Sequence, residues 1–138
     1  MALLFHPNPG TILVCDFRGY VAPEMVKARP VIVISPRLRN RDGLCTVVPL
    51  STTPPHPVEL YHCEIEFDRP LPGWSAQKCW VKGDMIATVS FERLSLFRVG
   101  KDHAGKRKYL KISIKPVELQ IVKTCVLHGL GLHGFLTK

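Results

Sequence analysis

The sequence predicts a small, mainly β domain: an antiparallel barrel or strongly curled sheet with one helix packed on it. Three observations carry that expectation. Six or seven short segments rich in β-branched residues are each bounded by Gly, Pro or other turn formers. A single late stretch, Pro116 to His128, carries apolar residues at helical spacing. No repeat, low-complexity tract or linker divides the 138 residues, a length suited to one hydrophobic core.

Taken in order, Pro9-Gly10 turns into Thr-Ile-Leu-Val-Cys-Asp-Phe17, the first strand, and residues 18–29, with Gly19 and Pro23 and no apolar stripe, form a loop. Pro30-Val-Ile-Val-Ile-Ser35 is almost continuously apolar, as a strand covered on both sides requires, so it should be central. Turn chemistry at 37–43 leads to Leu44-Cys-Thr-Val-Val-Pro-Leu50, expected as the antiparallel neighbour of the preceding strand. Ser51 to Pro57 holds three prolines and three hydroxyl residues and reads as an ordered loop.

From Val58 to Phe67 a further strand is expected, its later half alternating Cys63, Ile65 and Phe67 inward with Glu64 and Glu66 outward. After a Pro/Gly loop come Ala76–Lys82 and Asp84–Val89 as strands, with Gly83 between them a bulge or a close backbone approach. Ser90–Leu96 reads as a helical turn or an extended link to a strand near 96–99. Residues 100–108 form a lysine-bearing hairpin tip before the alternating strand Tyr109–Ile114. In the helix, Val117, Ile121 and Cys125 share a face with Leu119 and Val122 beside it, Pro116 suits the first turn, and Gly129 or Gly131 the stop. Residues 1–138 are therefore one domain with its core at about 9–128 and a loose arm and tail.

Composition narrows the function. With 46% apolar and 22% charged residues the chain should fold rather than stay disordered. No apolar run approaches the roughly 20 residues that span a bilayer, and the start lacks a signal peptide, so a cytoplasmic protein without a membrane partner is expected. The five cysteines are odd in number and include no C-x-x-C pair, which signals neither a disulfide framework nor a zinc site. A net charge of +8 attracts a polyanion at long range, with nucleic acid foremost, although a basic surface can also serve solubility alone.

Cleaving RNA needs little protein equipment, because the ribose 2′-hydroxyl can attack its own phosphate once a base takes its proton and cations stabilise the phosphorus. Arg29, at the mouth of the apolar strand, suits phosphate through its two-pronged fork, and is otherwise an ordinary flanking arginine. Ser51 and Thr52, closing the third strand, can donate to phosphate oxygens or simply shape the turn. Lys82 and Asp84, two apart in an extended segment, would share a face and could bracket a phosphate, or form a surface salt bridge of little consequence.

Together, Pro9-Gly-Thr-Ile-Leu-Val-Cys-Asp-Phe17, Pro23-Glu24, Arg29-Pro-Val-Ile-Val-Ile-Ser35, Val47-Val-Pro-Leu-Ser-Thr52 and Trp80-Val-Lys-Gly-Asp-Met-Ile-Ala-Thr-Val-Ser-Phe-Glu-Arg-Leu94 resemble the PemK/MazF family of type II toxin ribonucleases. The resemblance implies an SH3-like β-barrel with a C-terminal helix, a homodimer, and metal-independent cleavage of single-stranded RNA at short motifs, leaving a 2′,3′-cyclic phosphate. It implies no cofactor, and an antitoxin as partner. By position it makes Arg29 the catalytic arginine, Asp84 a general base, Ser51 the strand-end hydroxyl and Glu24 the acidic residue of the first long loop. Lys27, Thr52 and Trp80 are expected to meet RNA beside them. Lys82 stands where some members carry an acid-catalysing arginine, Pro23 where some carry a histidine, and the segment 96–112 is longer and more basic than the family pattern. The competing expectation is a non-catalytic barrel that binds nucleic acid or protein with Trp74, Trp80 and Tyr20, or a homologue that has lost turnover.

Overall fold

The structure is a computed structural model and describes residues 3–136. Ten short strands and one α-helix follow in order: β1 (Thr11–Cys15), β2 (Arg29–Val33), β3 (Leu44–Ser51), β4 (His62–Glu66), β5 (Lys78–Lys82), β6 (Ala87–Ser90), β7 (Leu94–Ser95), β8 (Phe97–Lys101), β9 (Arg107–Leu110), β10 (Ile112–Ser113) and α1 (Pro116–Gly129). Eight strands make one antiparallel sheet in the path β10-β1-β2-β3-β5-β4, with β6 added to β3 and β7 to β1. The sheet curls because β3 changes partner along its length: Leu44–Val47 pair with β6, and Leu50–Ser51 pair with β5. Strands β8 and β9 form a separate ribbon.

The alternation of side chains across this sheet builds two cores. One face supplies Ile12, Ile32, Val48, Leu50, Ile65, Cys79 and Val81, which pack with Phe97 and with Val122 and Val126 of α1. The other supplies Leu13, Cys15, Val31, Val33, Cys45 and Val47 and packs with Phe17, Val89, Leu94 and Leu3. With both faces covered, β2 is buried from Pro30 to Val33, which is why its sequence is apolar without alternation.

Most strands form where their residue types place them, and four expectations are corrected. The single strand expected over Tyr109–Ile114 is two, because Arg107–Leu110 pairs with β8 and Ile112–Ser113 with β1. Residues 58–61 are not strand: a turn carries Glu59 to His62, where the His62 amide donates to the Glu59 carbonyl at 3.0 Å, and β4 begins only there. Asp84 does not lie in a strand either. The Met85 amide donates to the Lys82 carbonyl at 3.0 Å, closing a turn over Gly83 and Asp84, and β6 begins at Ala87. In α1 the buried residues are Val122, Cys125 and Val126, whereas Val117 is 65% and Ile121 49% exposed. The helix is thus rotated from the expected face toward Leu119, Val122 and Val126. Its start is fixed by Pro116 in the first turn and by Glu118, whose carboxylate accepts from the Lys115 amide at 2.8 Å.

The rotation has a local cause at the far end of the helix. Gly83 offers the close approach its lack of a side chain allows: a Cβ there would lie 2.6 Å from the Tyr61 carbonyl oxygen and 2.8 Å from the Cys125 backbone. A Cβ on Gly129 would meet the Gly83 oxygen at 2.7 Å and the Asp84 Cα at 2.9 Å. Two glycines facing one another let the last turn of α1 rest directly on the turn that carries Asp84.

Candidate functional site

Strand register brings four of the eight candidate residues to one face. Ser51 of β3 lies opposite Trp80 of β5, and Lys82 lies opposite His62 of β4. The β2–β3 pairing of Val31 with Pro49, continued by two residues, sets Arg29 beside Ser51. Because directly opposed residues point to the same side, Arg29, Ser51, Trp80, Lys82 and His62 share the face that also bears Val31, Val33 and Val47. Arg29 is half-buried, and its Nε is buried with no hydrogen-bond partner among the described residues. An arginine held in this way is costly unless an anion compensates it.

Asp84 and Glu24 meet at a cavity of about 300 Å³ on the same side of the sheet, walled by Phe17, Tyr20, Met25 and Ala87, residues of the second core or packed on it. Asp84 is exposed at the rim. It does not pair with Lys82: among the described residues the one ion pair joins Arg18 to Asp16 at 2.7 Å. The expected salt-bridge alternative for Lys82 and Asp84 is therefore not formed, and neither is the shared extended face, because the chain turns between them.

Other candidates have local duties. The Glu24 carboxylate accepts from the Val21 amide at 2.6 Å, and the Glu24 amide donates to the Val21 carbonyl at 2.9 Å, so this side chain closes the turn that forms the cavity rim. The Ser51 hydroxyl accepts from the Thr53 amide at 3.1 Å. Thr52 and Lys27 are exposed. Of the aromatic residues considered for stacking, Trp74 lies edge-on to Phe97 and Tyr20 edge-on to Phe17, leaving Trp80, half-buried on the shared face, as the freer ring.

Two residues that sequence reasoning overlooked belong here. His62 faces Lys82, and its Nδ1 accepts from the Glu59 amide at 3.0 Å, which leaves the proton of the neutral ring on Nε2. Burial, and then the Lys82 charge, lower its pKa against the opposing pull of Asp84. The alternation of β4 already placed position 62 with Glu64 on the outward side, which was the available signal. Arg93 is the second. Its guanidinium donates to the carbonyls of Asp16 at 2.8 Å and Arg18 at 2.7 Å and lies 5.0 Å from the centre of the Tyr20 ring, fixing the loop that walls the cavity. No local pattern marks it, since its partners are 75 and 77 residues away in the chain.

A curled antiparallel sheet with a C-terminal helix packed on it, bearing Arg29 and Lys82 on the side where Asp84 rims a cavity, defines a small β-barrel-like domain that carries the side-chain types a phosphodiester requires. Residues 8–116 match the family described as the PemK-like, MazF-like toxin of type II toxin–antitoxin systems, and the chain belongs to that family, whose members are endoribonucleases. It is 32% identical to YifN of Escherichia coli strain K12, over 77% of this chain and 83% of that one. It is 31% identical to an uncharacterised protein of Haemophilus influenzae, over 86% and 89% respectively. The fold matches a mycobacterial endoribonuclease solved in complex with its cognate antitoxin, with a TM-score of 0.61 at 24% identity over 92% of this chain and 97% of that one. It also matches MazF from Deinococcus radiodurans, with a TM-score of 0.60 at 19% identity over 92% and 98%.

Proposed function

We propose that this protein is an endoribonuclease toxin that cuts single-stranded RNA at short motifs without a metal, acting in the cytoplasm. The observation that carries the reading is the register that sets Arg29, Ser51, Trp80 and Lys82 on one face, beside the cavity rimmed by Asp84 and Glu24. The Asp84 carboxylate takes the proton of a ribose 2′-hydroxyl, and the freed oxygen attacks the adjacent phosphorus. As the bond to the 5′-oxygen breaks, Lys82 gives that oxygen a proton, so the products carry a 2′,3′-cyclic phosphate and a 5′-hydroxyl. Arg29, with Ser51 or Thr52, binds the phosphoryl oxygens through the developing charge. Lys82 lacks the fork of an arginine and so neutralises without fixing two oxygens at once. Trp80, Lys27 and Glu24 meet the flanking nucleotides.

Family membership supports an antitoxin as partner, and the reading adds a homodimer and an acidic, disordered antitoxin segment that lies across the face bearing Arg29 and Lys82 and blocks it. Purified protein incubated with a long unstructured RNA in EDTA should cut it, and Asp84→Asn should slow cleavage by about 10²–10⁴-fold, the usual worth of a positioned base. Intact RNA with the parent protein would favour a binding module, and an Asp84→Asn variant as active as the parent would remove the assigned base.

A further inference from the structure

The positive charge of this protein is not spread over its surface. Residues 98–111 hold Arg98, Lys101, Lys106, Arg107, Lys108 and Lys111 against one acid, Asp102, so this segment supplies +5 of the chain's +8. The shared face described above mixes Arg29 and Lys82 with Glu64, has Asp84 and Glu24 at the cavity on its side of the sheet, and contributes little to the net field. What draws a polyanion from a distance is therefore the β8–β9 ribbon.

The ribbon's construction favours such a ligand. It stands apart from the main sheet, rooted by Phe97, which is buried in the first core against Trp74. All six cations are exposed. Lys101 lies directly opposite Arg107 across the two strands, a like-charge pairing that destabilises a ribbon standing alone. The one acid forms no ion pair with either cation among the described residues; instead the Asp102 carboxylate accepts from the Ala104 and Lys106 amides, both at 2.9 Å. With the Asp102 amide donating to the Lys106 carbonyl at 2.7 Å, the tip is held in a fixed turn. Tyr109, opposite Arg98, adds a half-buried ring among the cations. Arg98, Lys101 and Arg107 share one face of the ribbon with Tyr109 and form no ion pair among the described residues, an arrangement suited to a single-stranded phosphate backbone.

We propose that the β8–β9 ribbon is a second RNA-binding surface, which grips the backbone of the strand outside the cleavage groove. It rests on the reading of the protein as an RNA-cutting enzyme and adds where the strand runs. The ribbon arises at the β1 edge of the sheet, between the β7 and β10 pairings, and β1 is the direct neighbour of the strand that carries Arg29. Its contribution grows with RNA length.

The test is binding of a labelled, non-cleavable, 2′-O-methylated RNA of about 30 nucleotides, followed by anisotropy across a salt series, with cleavage of the unmodified RNA measured alongside. Each phosphate contact to a single strand contributes about 0.7 to the slope of log K against log salt, so replacing Lys101, Lys106 and Arg107 together with Gln should flatten the slope by about 2. The charge-keeping variant Lys101→Arg, Lys106→Arg, Arg107→Lys should retain the parent's slope, which separates loss of charge from loss of fold. If the parent cuts RNA and the Gln variant keeps the parent's slope, the ribbon proposal is overturned while the groove reading stands. If the parent neither binds nor cuts RNA, both fall. A Gln variant that keeps its RNA slope but loses affinity for a polyglutamate peptide would make the ribbon a surface for an acidic protein instead, and would equally overturn the proposal.

Discussion

Replacing Gly83 with Ala tests whether the contact between α1 and the Asp84 turn is as close as described. The added methyl would sit 2.6 Å from the Tyr61 carbonyl oxygen and 2.8 Å from the Cys125 carbonyl carbon and oxygen. All three are backbone atoms, so no flexible side chain can swing aside. Relief requires the end of the helix or the start of β4 to move by several tenths of an ångström. Overpacking of this kind costs about 1–3 kcal/mol. At roughly 4 °C per kcal/mol for a chain of this size, the melting temperature should fall by about 4–12 °C. Because Asp84 is the next residue, the same shift displaces its carboxylate. A 1 Å misplacement of a catalytic group can cost on the order of 10²-fold in rate, so cleavage should fall well beyond what the lost stability explains. The assays are calorimetric unfolding and RNA cleavage at a temperature where both proteins are fully folded. Gly134→Ala is the control: nothing lies within 4 Å of its new Cβ, and it should melt with the parent. A Gly83→Ala protein with the parent's melting temperature and cleavage rate would refute the reasoning.

Two further outcomes follow from side chains whose surroundings are equally well defined. Arg93→Ala removes the Nη1 donor shared by the Asp16 and Arg18 carbonyls and the cation beside Tyr20, and should cost about 1.5–3 kcal/mol. It should also speed protease cleavage within residues 18–28, and unchanged protection there would count against its role as the loop's clamp. Burial pushes the thiol of Cys15 up to about 12 and those of Cys45 and Cys79 up to about 11, from 9.0. Since the folded state holds these protons while the unfolded chain releases them, the stability they provide is complete below pH 9 and is lost as pH rises toward 11–12. In urea unfolding, the parent should lose ground to Cys45→Val above pH 9, by up to about 1.4 kcal/mol per pH unit. A constant difference between the two would show that the buried thiol does not govern this range.

The strands were legible in the sequence because their physics is local. β-branched runs at 11–15, 29–33 and 44–51 are bounded by turn formers, and the alternation of Cys63, Ile65 and Phe67 against two glutamates gave the orientation of β4 correctly. Arg29, Ser51 and Lys82 could be singled out because each ends or begins a strand, where a polar side chain can be held by rigid backbone. The period-two argument for Lys82 and Asp84 failed where local spacing stops deciding. Gly83 could be extended or turned, and contact with Tyr61 and Cys125, from β4's entry and from α1, selects the turn. The helix face failed for a related reason: Val117 and Ile121 are spaced as well as the residues that are buried, and the rotation is set at the Gly83–Gly129 contact. The sequence already placed most of the net charge at 98–111, but only tertiary structure set that segment off as a ribbon separate from the main sheet. Sequence alone thus determined which segments extend, which coils and which residue types could handle phosphate. The pairing of distant strands decided which of those residues face one another, because that choice depends on contacts between segments tens of residues apart.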